Sequence, residues 1–430
     1  MPAADPLELL LAGQYPDPET GELLRAETRS VVVQDSLDGA ESELVAALGL
    51  GPHIALIADR DTSEALGRRV ERALAARFTV QAIVLDRAPH ADDATVARLR
   101  AAIDPRADAV VAVGAGTIND LAKLVAHGRG IPQVVFPTAP SMNGYTSVSA
   151  SLLEDGVKHS VRVSTPVGVF FDLRVLAAAP PRLIRAGLGD SACRSTAQVD
   201  WLLSHLLLDR PYREAPFTLL AADEEKLFAD PRALMNGDEA AMRHLVRTLI
   251  LSGFGMTICG GSYPASQGEH LLAHYLTMMH TPRASPVLHG EEIGVCTLAM
   301  AGLQDSILAL DTPPELHPSR AAREDVLRRF GPQAGEICWR ELEPKLLDRR
   351  RADELNARLA RDWPAVRKRL GAVALGAARL RGVLEAARAP TEAAELGWPA
   401  ALFDDARRHA REIRNRYTFL DFAADAAITW

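Results

Sequence analysis

Four of the chain's twelve histidines fall in one stretch, Glu269 to Glu292, which reads EHLLAHYLTMMHTPRASPVLHGEE. His270 and His274 are four residues apart, so in a helix both project from one face. His289 follows across a proline-containing loop, directly before a glycine. A carboxylate, Asp190, stands earlier in AGLGDSACRSTAQVDW, where the pattern predicts a helix start. A helix-capping aspartate is the competing reading there. Two imidazoles and one carboxylate suit Zn²⁺, Fe²⁺, Ni²⁺ or Co²⁺, with positions left open for a substrate. A lone helical histidine is more often structural, and the residue types alone do not say which of the four are ligands.

A second chemistry lies in ADAVVAVGAGTINDLAKLVA, which runs strand, glycine turn, helix. Gly114 and Gly116 lack a Cβ, so a backbone can pass close to a phosphate. The helix is predicted to begin near Thr117, where free N–H groups and the dipole favour an anion. The motif is GxGT rather than GxGxxG, and a plain tight turn between strand and helix explains it equally well. Asp59 ends the predicted strand HIALIAD. A carboxylate there can bind adenosine ribose hydroxyls and repel a 2′-phosphate. The alternative is a helix cap, and the neighbouring Arg60 leaves NAD and NADP both open.

The elements that must position these groups change character along the chain. RSVVVQDS, HIALIADRD, TVQAIVLDR, ADAVVAVG and IPQVVFPT read as short buried strands, with helical spacing between them. That alternation predicts a parallel sheet with helices on both faces. After the prolines at 180 and 181 the chain is Ala/Leu/Arg-rich and helically periodic almost to its end. The fold class is therefore α/β plus all-α: a nucleotide-binding parallel-sheet domain over 1–178 and a helical, metal- and substrate-binding domain over 179–430. At 430 residues, two domains are the expected number.

Composition excludes several classes. The net charge of -8 argues against nucleic acid or an anionic membrane as partner. Four scattered cysteines form no CxxC, so neither a disulfide framework nor a thiolate zinc site is expected. No run reaches the ~18–20 apolar residues of a membrane span, and the first residues show no basic leader pattern. A cytoplasmic enzyme is the expectation.

In order, the motifs GAGTINDLAK, FPTAPSMNGYTS, GLGDSACRSTAQVDW, GSYPASQGEHLLAH, HGEEIGV and RNRYTFLDFAADAAI resemble the bacterial sn-glycerol-1-phosphate dehydrogenases of the iron-containing, metal-dependent alcohol dehydrogenase superfamily. Dehydroquinate synthase is a more distant relative with a similar fold. The resemblance implies one divalent metal (Zn, Fe or Ni) on Asp190, His270 and His289, with His274 on the substrate side. It implies NAD or NADP contacts at Gly114, Gly116, Thr117, Thr138, Ser141 and Ser147, joined by Asp59 and by Asp120 of the GTINDLAK run. The active site would lie between the domains, and the protein would be a homodimer or larger homo-oligomer.

The reaction so implied is reversible hydride transfer between NAD(P)H and dihydroxyacetone phosphate. His274 would relay the proton, and Asp190 would serve chemistry as well as the metal. Arg194, one turn after Asp190, and Lys158 in EDGVKHS are candidates for the substrate phosphate. Three departures from the resemblance fall near the site: Asn143 where relatives carry Asp, Tyr263 where Arg is expected, and VSTPVGVFFD without the usual Lys after its Pro. They keep open an oxidoreductase of the same kind acting on another polyol or hydroxy-aldehyde. A synthase-like lyase that recycles NAD and a non-catalytic nucleotide binder are more remote alternatives.

Overall fold

A computed structural model describes residues 5–154, 157–280 and 287–430, with backbone alone at 154 and 157–159. The chain forms two compact units, Met1–Ser191 with Glu214–Ser262, and Ala192–Arg213 with Tyr263–Trp430.

The first unit is built on a six-stranded parallel sheet. Its strands begin with β1 (Ser30–Gln34), β2 (His53–Asp59), β3 (Thr79–Leu85), β4 (Ala109–Gly114) and β5 (Gln133–Pro137). A separate antiparallel hairpin of β6 (Ser149–Glu154) and β7 (Val157–Arg162) follows. The sheet is completed by β8 (Gly168–Asp172), and its spatial order is β1-β8-β5-β4-β2-β3. The central strand β4, AVVAVG, is buried along its whole length, as a strand covered on both faces must be. The edge strand β3 instead alternates towards solvent. β8 lies between β1 and β5, and its GVFFD is buried throughout. The strand pattern of the sequence does not include it, because it follows the hairpin strand β7 and a short turn containing Pro166 rather than a helix.

Helix α1 (Gly116–Arg129) follows β4 and stops at Gly130, whose φ of 65° takes the left-handed conformation that closes the last turn. α2 (Pro181–Leu208) starts where Pro181 supplies a preset φ at a helix's first turn. α3 (Ala215–Ala229) and α4 (Glu239–Ile258) pack on each other in the first unit.

The second unit is helical. Its core gathers Leu271, Tyr275, Ile293, Leu342, Trp363 and Phe422 among others. Three of its helices carry the functional stretch or support it: α5 (Gly268–Met279), α6 (His289–Leu308) and α7 (Arg349–Val373). Trp363 of α7 lies parallel to Phe422, with ring centroids 6.5 Å apart. Burying side chains of this size stabilises by roughly 1.5–3 kcal/mol each.

Candidate functional site

At the carboxyl end of the sheet, strand register brings separate motifs to one level. Ile57 pairs with Ala112, so Asp59 lies level with Gly114, and Gly114 pairs with Pro137. In a parallel sheet this edge is where a nucleotide docks. A Cβ at Gly114 would come within 2.5 Å of the Ile118 side chain, so the turn into α1 closes only on glycine. No side chain caps the N-terminus of α1, and Thr117 is exposed there, which leaves the first N–H groups facing outward. Thr138 continues from β5, and its N–H donates to Gly114 O at 3.3 Å. Asp59 caps the next helix: its Oδ1 accepts from Thr62 N at 2.8 Å, and Thr62 returns a bond to the Asp59 N–H. Its neighbour Arg60 turns to Asp86 at 2.9 Å.

The loop after Thr138 is held by a group that sequence reasoning missed. Lys123 on α1 is fully buried, and its Nζ donates to Gly144 O at 2.6 Å, Ser147 O at 2.9 Å, Ser147 Oγ at 3.2 Å and Ser149 O at 3.2 Å. Burial pushes the Lys123 ammonium down to about 8, while Asp120 nearby opposes the shift. Asp120 Oδ2 accepts from Ser151 N at 3.2 Å, tying the same helix to β6. Ser147, expected at the cofactor, is thus buried within the loop. Ser141 is partly exposed on it. The visible signal for Lys123 was its place at the end of GTINDLAK, one turn after Asp120.

Asp190 is in the interior of α2, not at its start. The helix begins instead at Pro181, and Gly187 within it has a packing reason. A Cβ at Gly187 would sit 1.7 Å from Pro140 O, so the helix lies directly on the backbone of the loop. Asp190 is 1% exposed and its Oδ2 accepts the N–H of Asn143 at 2.8 Å. The predicted helix-capping alternative for Asp190 is therefore excluded by position.

In the second unit, α5 carries His270 and His274 on one face, and His289 opens α6. Their rings form a triangle, with centroids 5.8 Å apart for His270–His274, 5.2 Å for His270–His289 and 6.0 Å for His274–His289. Donor nitrogens of His270 and His289 approach within 4.8 Å. His270 Nδ1 donates to Glu269 Oε1 at 2.9 Å. Glu269 is fully buried, and it also accepts from Gln267 N at 2.8 Å and Thr196 Oγ1 at 3.3 Å. This leaves Nε2 as the His270 donor, the arrangement that metal-binding histidines take. Behind Glu269 lies Asp200, whose oxygens accept from Gly268 N, Phe419 N and Gln304 Nε2. Burial and the charge of Glu269 push Asp200 up to about 8 despite these three donors.

A profile of the iron-containing alcohol dehydrogenase family matches residues 32–180. The glycerol-1-phosphate dehydrogenase (NAD(P)+) of Bacillus velezensis is 32% identical over 272 residues, which cover 62% of this chain and 69% of that protein. The enzyme of the same name from Pyrococcus furiosus is 33% identical over 276 residues, 64% of this chain and 78% of that protein. The chain belongs to the glycerol-1-phosphate dehydrogenase family. Its fold is that of iron-containing alcohol dehydrogenases at large: a 1,3-propanediol oxidoreductase structure matches with a TM-score of 0.62 at 15% identity, over 93% of this chain and 97% of the other.

The two candidate phosphate contacts lie on separate elements, Arg194 on α2 and Lys158 on β7. Arg194 Nη1 donates to Gln198 Oε1 at 2.7 Å, and Gln198 Nε2 donates to the Tyr212 hydroxyl at 2.9 Å. Lys158 is on β7, and its side chain lies outside the described residues. Tyr263 stacks on Trp201 at 5.8 Å and lies under the Arg416 guanidinium at 4.9 Å.

Proposed function

We propose that this chain is a metal-dependent, NAD(P)-linked dehydrogenase that interconverts dihydroxyacetone phosphate and sn-glycerol 1-phosphate. The observation that carries the reading is His270, with Nδ1 committed to buried Glu269 and its other nitrogen turned to a facing His289. Family membership supplies the reaction class, since both relatives described above carry that enzyme's name.

The donor chemistry fits one divalent ion, Zn, Fe or Ni, with His270, His289 and Asp190 as its ligands. Two neutral imidazoles and a carboxylate leave open positions, as a catalytic site requires. Asp190 is one turn before Cys193 on the unbroken helix α2, and Cys193 Sγ lies within 4.8 Å of donor atoms of His270 and Glu269. When bound, the ion supplies Lewis-acid polarisation of the substrate carbonyl.

The chain's own residues do the rest. Gly114, Gly116 and Thr117 receive the dinucleotide phosphates at the α1 N-terminus, with Thr138, Ser141, Ser147 and Asp120 shaping the loop around it. Asp59 meets the adenosine ribose and favours NAD. When bound, the reduced nicotinamide would supply the hydride for C2 of dihydroxyacetone phosphate, and His274 would hold the proton for the carbonyl oxygen. An imidazole suits that role because its pKa lies near working pH. Asn143, Arg194 and Lys158 are the proposed substrate contacts. Asn143 both donates and accepts hydrogen bonds, unlike an aspartate.

Among the described residues no helix is long and apolar enough to cross a membrane. We infer a cytoplasmic enzyme acting as a homodimer or larger homo-oligomer. The test is oxidation of NADH and NADPH by metal-reconstituted protein with dihydroxyacetone phosphate, beside unphosphorylated dihydroxyacetone and other polyol-derived carbonyls. A kcat/KM highest for an unphosphorylated carbonyl would replace the phosphate ester as substrate and leave the dehydrogenase reading in place. No nucleotide turnover with any carbonyl under any of the three metals would overturn the reading altogether.

A further inference from the structure

The loops that follow β2 and β3 concentrate charge beside Asp59. Strand register sets Asp59 level with Leu85, so residues 60–61 and 86–87 leave the sheet side by side at its carboxyl edge. Two ion pairs cross between these loops. Arg60 Nη2 donates to Asp86 Oδ1 at 2.9 Å, and Arg87 Nη1 pairs with Asp61 Oδ1. Among the described residues each guanidinium has that one hydrogen-bonded or ion-paired partner. Asp59 itself accepts through Oδ1 from Thr62 N, and among the described residues nothing bonds its Oδ2. Three carboxylates (Asp59, Asp61, Asp86) stand there against two guanidiniums (Arg60, Arg87), a net charge of -1.

Both pairs are open to water: the Arg60 and Arg87 side chains are each 63% exposed. Exposed pairs of this kind are screened and add little to stability. Their consequence is where they leave the charges. A guanidinium at this edge of a nucleotide-binding sheet accommodates the 2′-phosphate of NADP, whereas a carboxylate accepts from the 2′-hydroxyl of NAD. Here both guanidiniums stand on the loops beside Asp59, and each is turned to a carboxylate of the other loop. The backbone at this corner is strained. Ala88, directly after Arg87, has a φ of 50°, a conformation that side-chain-bearing residues rarely adopt. Strain of this kind collects at ligand-binding sites.

We propose that Asp61 and Asp86 set the cofactor preference of this chain: they hold Arg87 and Arg60 so that the corner beside Asp59 takes the 2′-hydroxyl of NAD and turns away the 2′-phosphate of NADP. Two further carboxylates thereby determine specificity, through the arginines they occupy. The proposal rests on the dinucleotide docking at this sheet edge, and its test separates the two. Neutralising either carboxylate releases a guanidinium and moves the net charge of the corner from -1 to 0. A 2′-phosphate, with a charge of about -1.5 to -2 near neutral pH, then gains a charge-assisted partner that NAD does not use.

Binding of NADH and NADPH to the full chain is read by nicotinamide fluorescence, with no substrate present. Wild type should bind NADH more tightly. In Asp86→Asn and in Asp61→Asn the Kd for NADPH should fall roughly five- to tenfold, while that for NADH stays within about twofold. Their melting temperatures should not move, because the pairs are exposed. In the metal-loaded enzyme kcat/KM with each cofactor should follow. Asp86→Asn combined with Arg60→Ala should lose the gain, which separates recruitment of the guanidinium from simple relief of repulsion. An NADPH affinity unchanged in both single variants refutes the inference, as does a gain that survives Arg60→Ala, and the dehydrogenase reading stands in either case. Wild type binding NADPH at least as tightly as NADH also refutes it, since the arginines would then already reach the phosphate. Wild type that binds neither nucleotide overturns the docking itself, and the inference with it.

Discussion

Glu269 Oε1 accepts from His270 Nδ1 at 2.9 Å, although the two residues are consecutive in α5. Neighbours in a helix normally point some 100° apart and do not meet. Here Glu269 turns fully inward, anchored by Gln267 N and Thr196, and the imidazole leans across to it. The ring's orientation and tautomer follow from that bond.

Glu269→Gln should therefore weaken metal binding by about 10- to 100-fold, the usual cost of losing a carboxylate behind a ligating histidine. Competition with a chromophoric chelator measures it, independently of turnover. An affinity equal to wild type would reduce Glu269 to a packing residue.

His270 and His274 share a helix face but should separate cleanly by substitution. His270→Ala should lose the metal and activity together. His274→Ala should hold one metal per chain by elemental analysis and turn over about 10²-fold more slowly, as expected for a lost proton donor. Metal loss in both variants would make His274 a ligand instead.

Asp59 has two roles that different substitutions divide. Asp59→Ala removes the capping box with Thr62 and should cost about 1 kcal/mol of stability, seen as a lower melting temperature. Asp59→Asn retains a capping oxygen, so stability should change little. Loss of its charge should still narrow the NAD over NADP preference in kcat/KM. An unchanged cofactor ratio in both variants would leave Asp59 as a cap alone.

Lys123 predicts a pH signature. Its folded-state pKa lies at about 8, below the ordinary 10.5. Between those values the unfolded chain binds more protons, so the Lys123 contribution to stability rises with pH across that window and is lost as pH falls through 8. Relative to Lys123→Met, wild type should gain up to about 1.4 kcal/mol per pH unit there. Denaturant midpoints of both proteins at several pH values from 7 to 10.5 read the difference; parallel curves would contradict it.

The sequence by itself determined the order of layers and the identity of most chemical groups. β4 and α1 were legible because AVVAVG and INDLAKLVAHG carry strong local periodicity, and His270 and His274 because four residues make one helical turn. Local pattern could not reach what depends on partners distant in the chain. Asp190 reads as a helix start from its local pattern; only the long helix Pro181–Leu208, whose Gly187 lies against Pro140 O from far back in the chain, places it in a helix interior. Lys123 read as one more residue of an amphipathic helix, and only the return of the 144–149 loop surrounds its ammonium with oxygens. Tertiary packing assigned Asp421 and Asp425 to Lys345 and Arg411, because a buried carboxylate pairs with whichever cation the fold delivers to it and not with its neighbour in the chain.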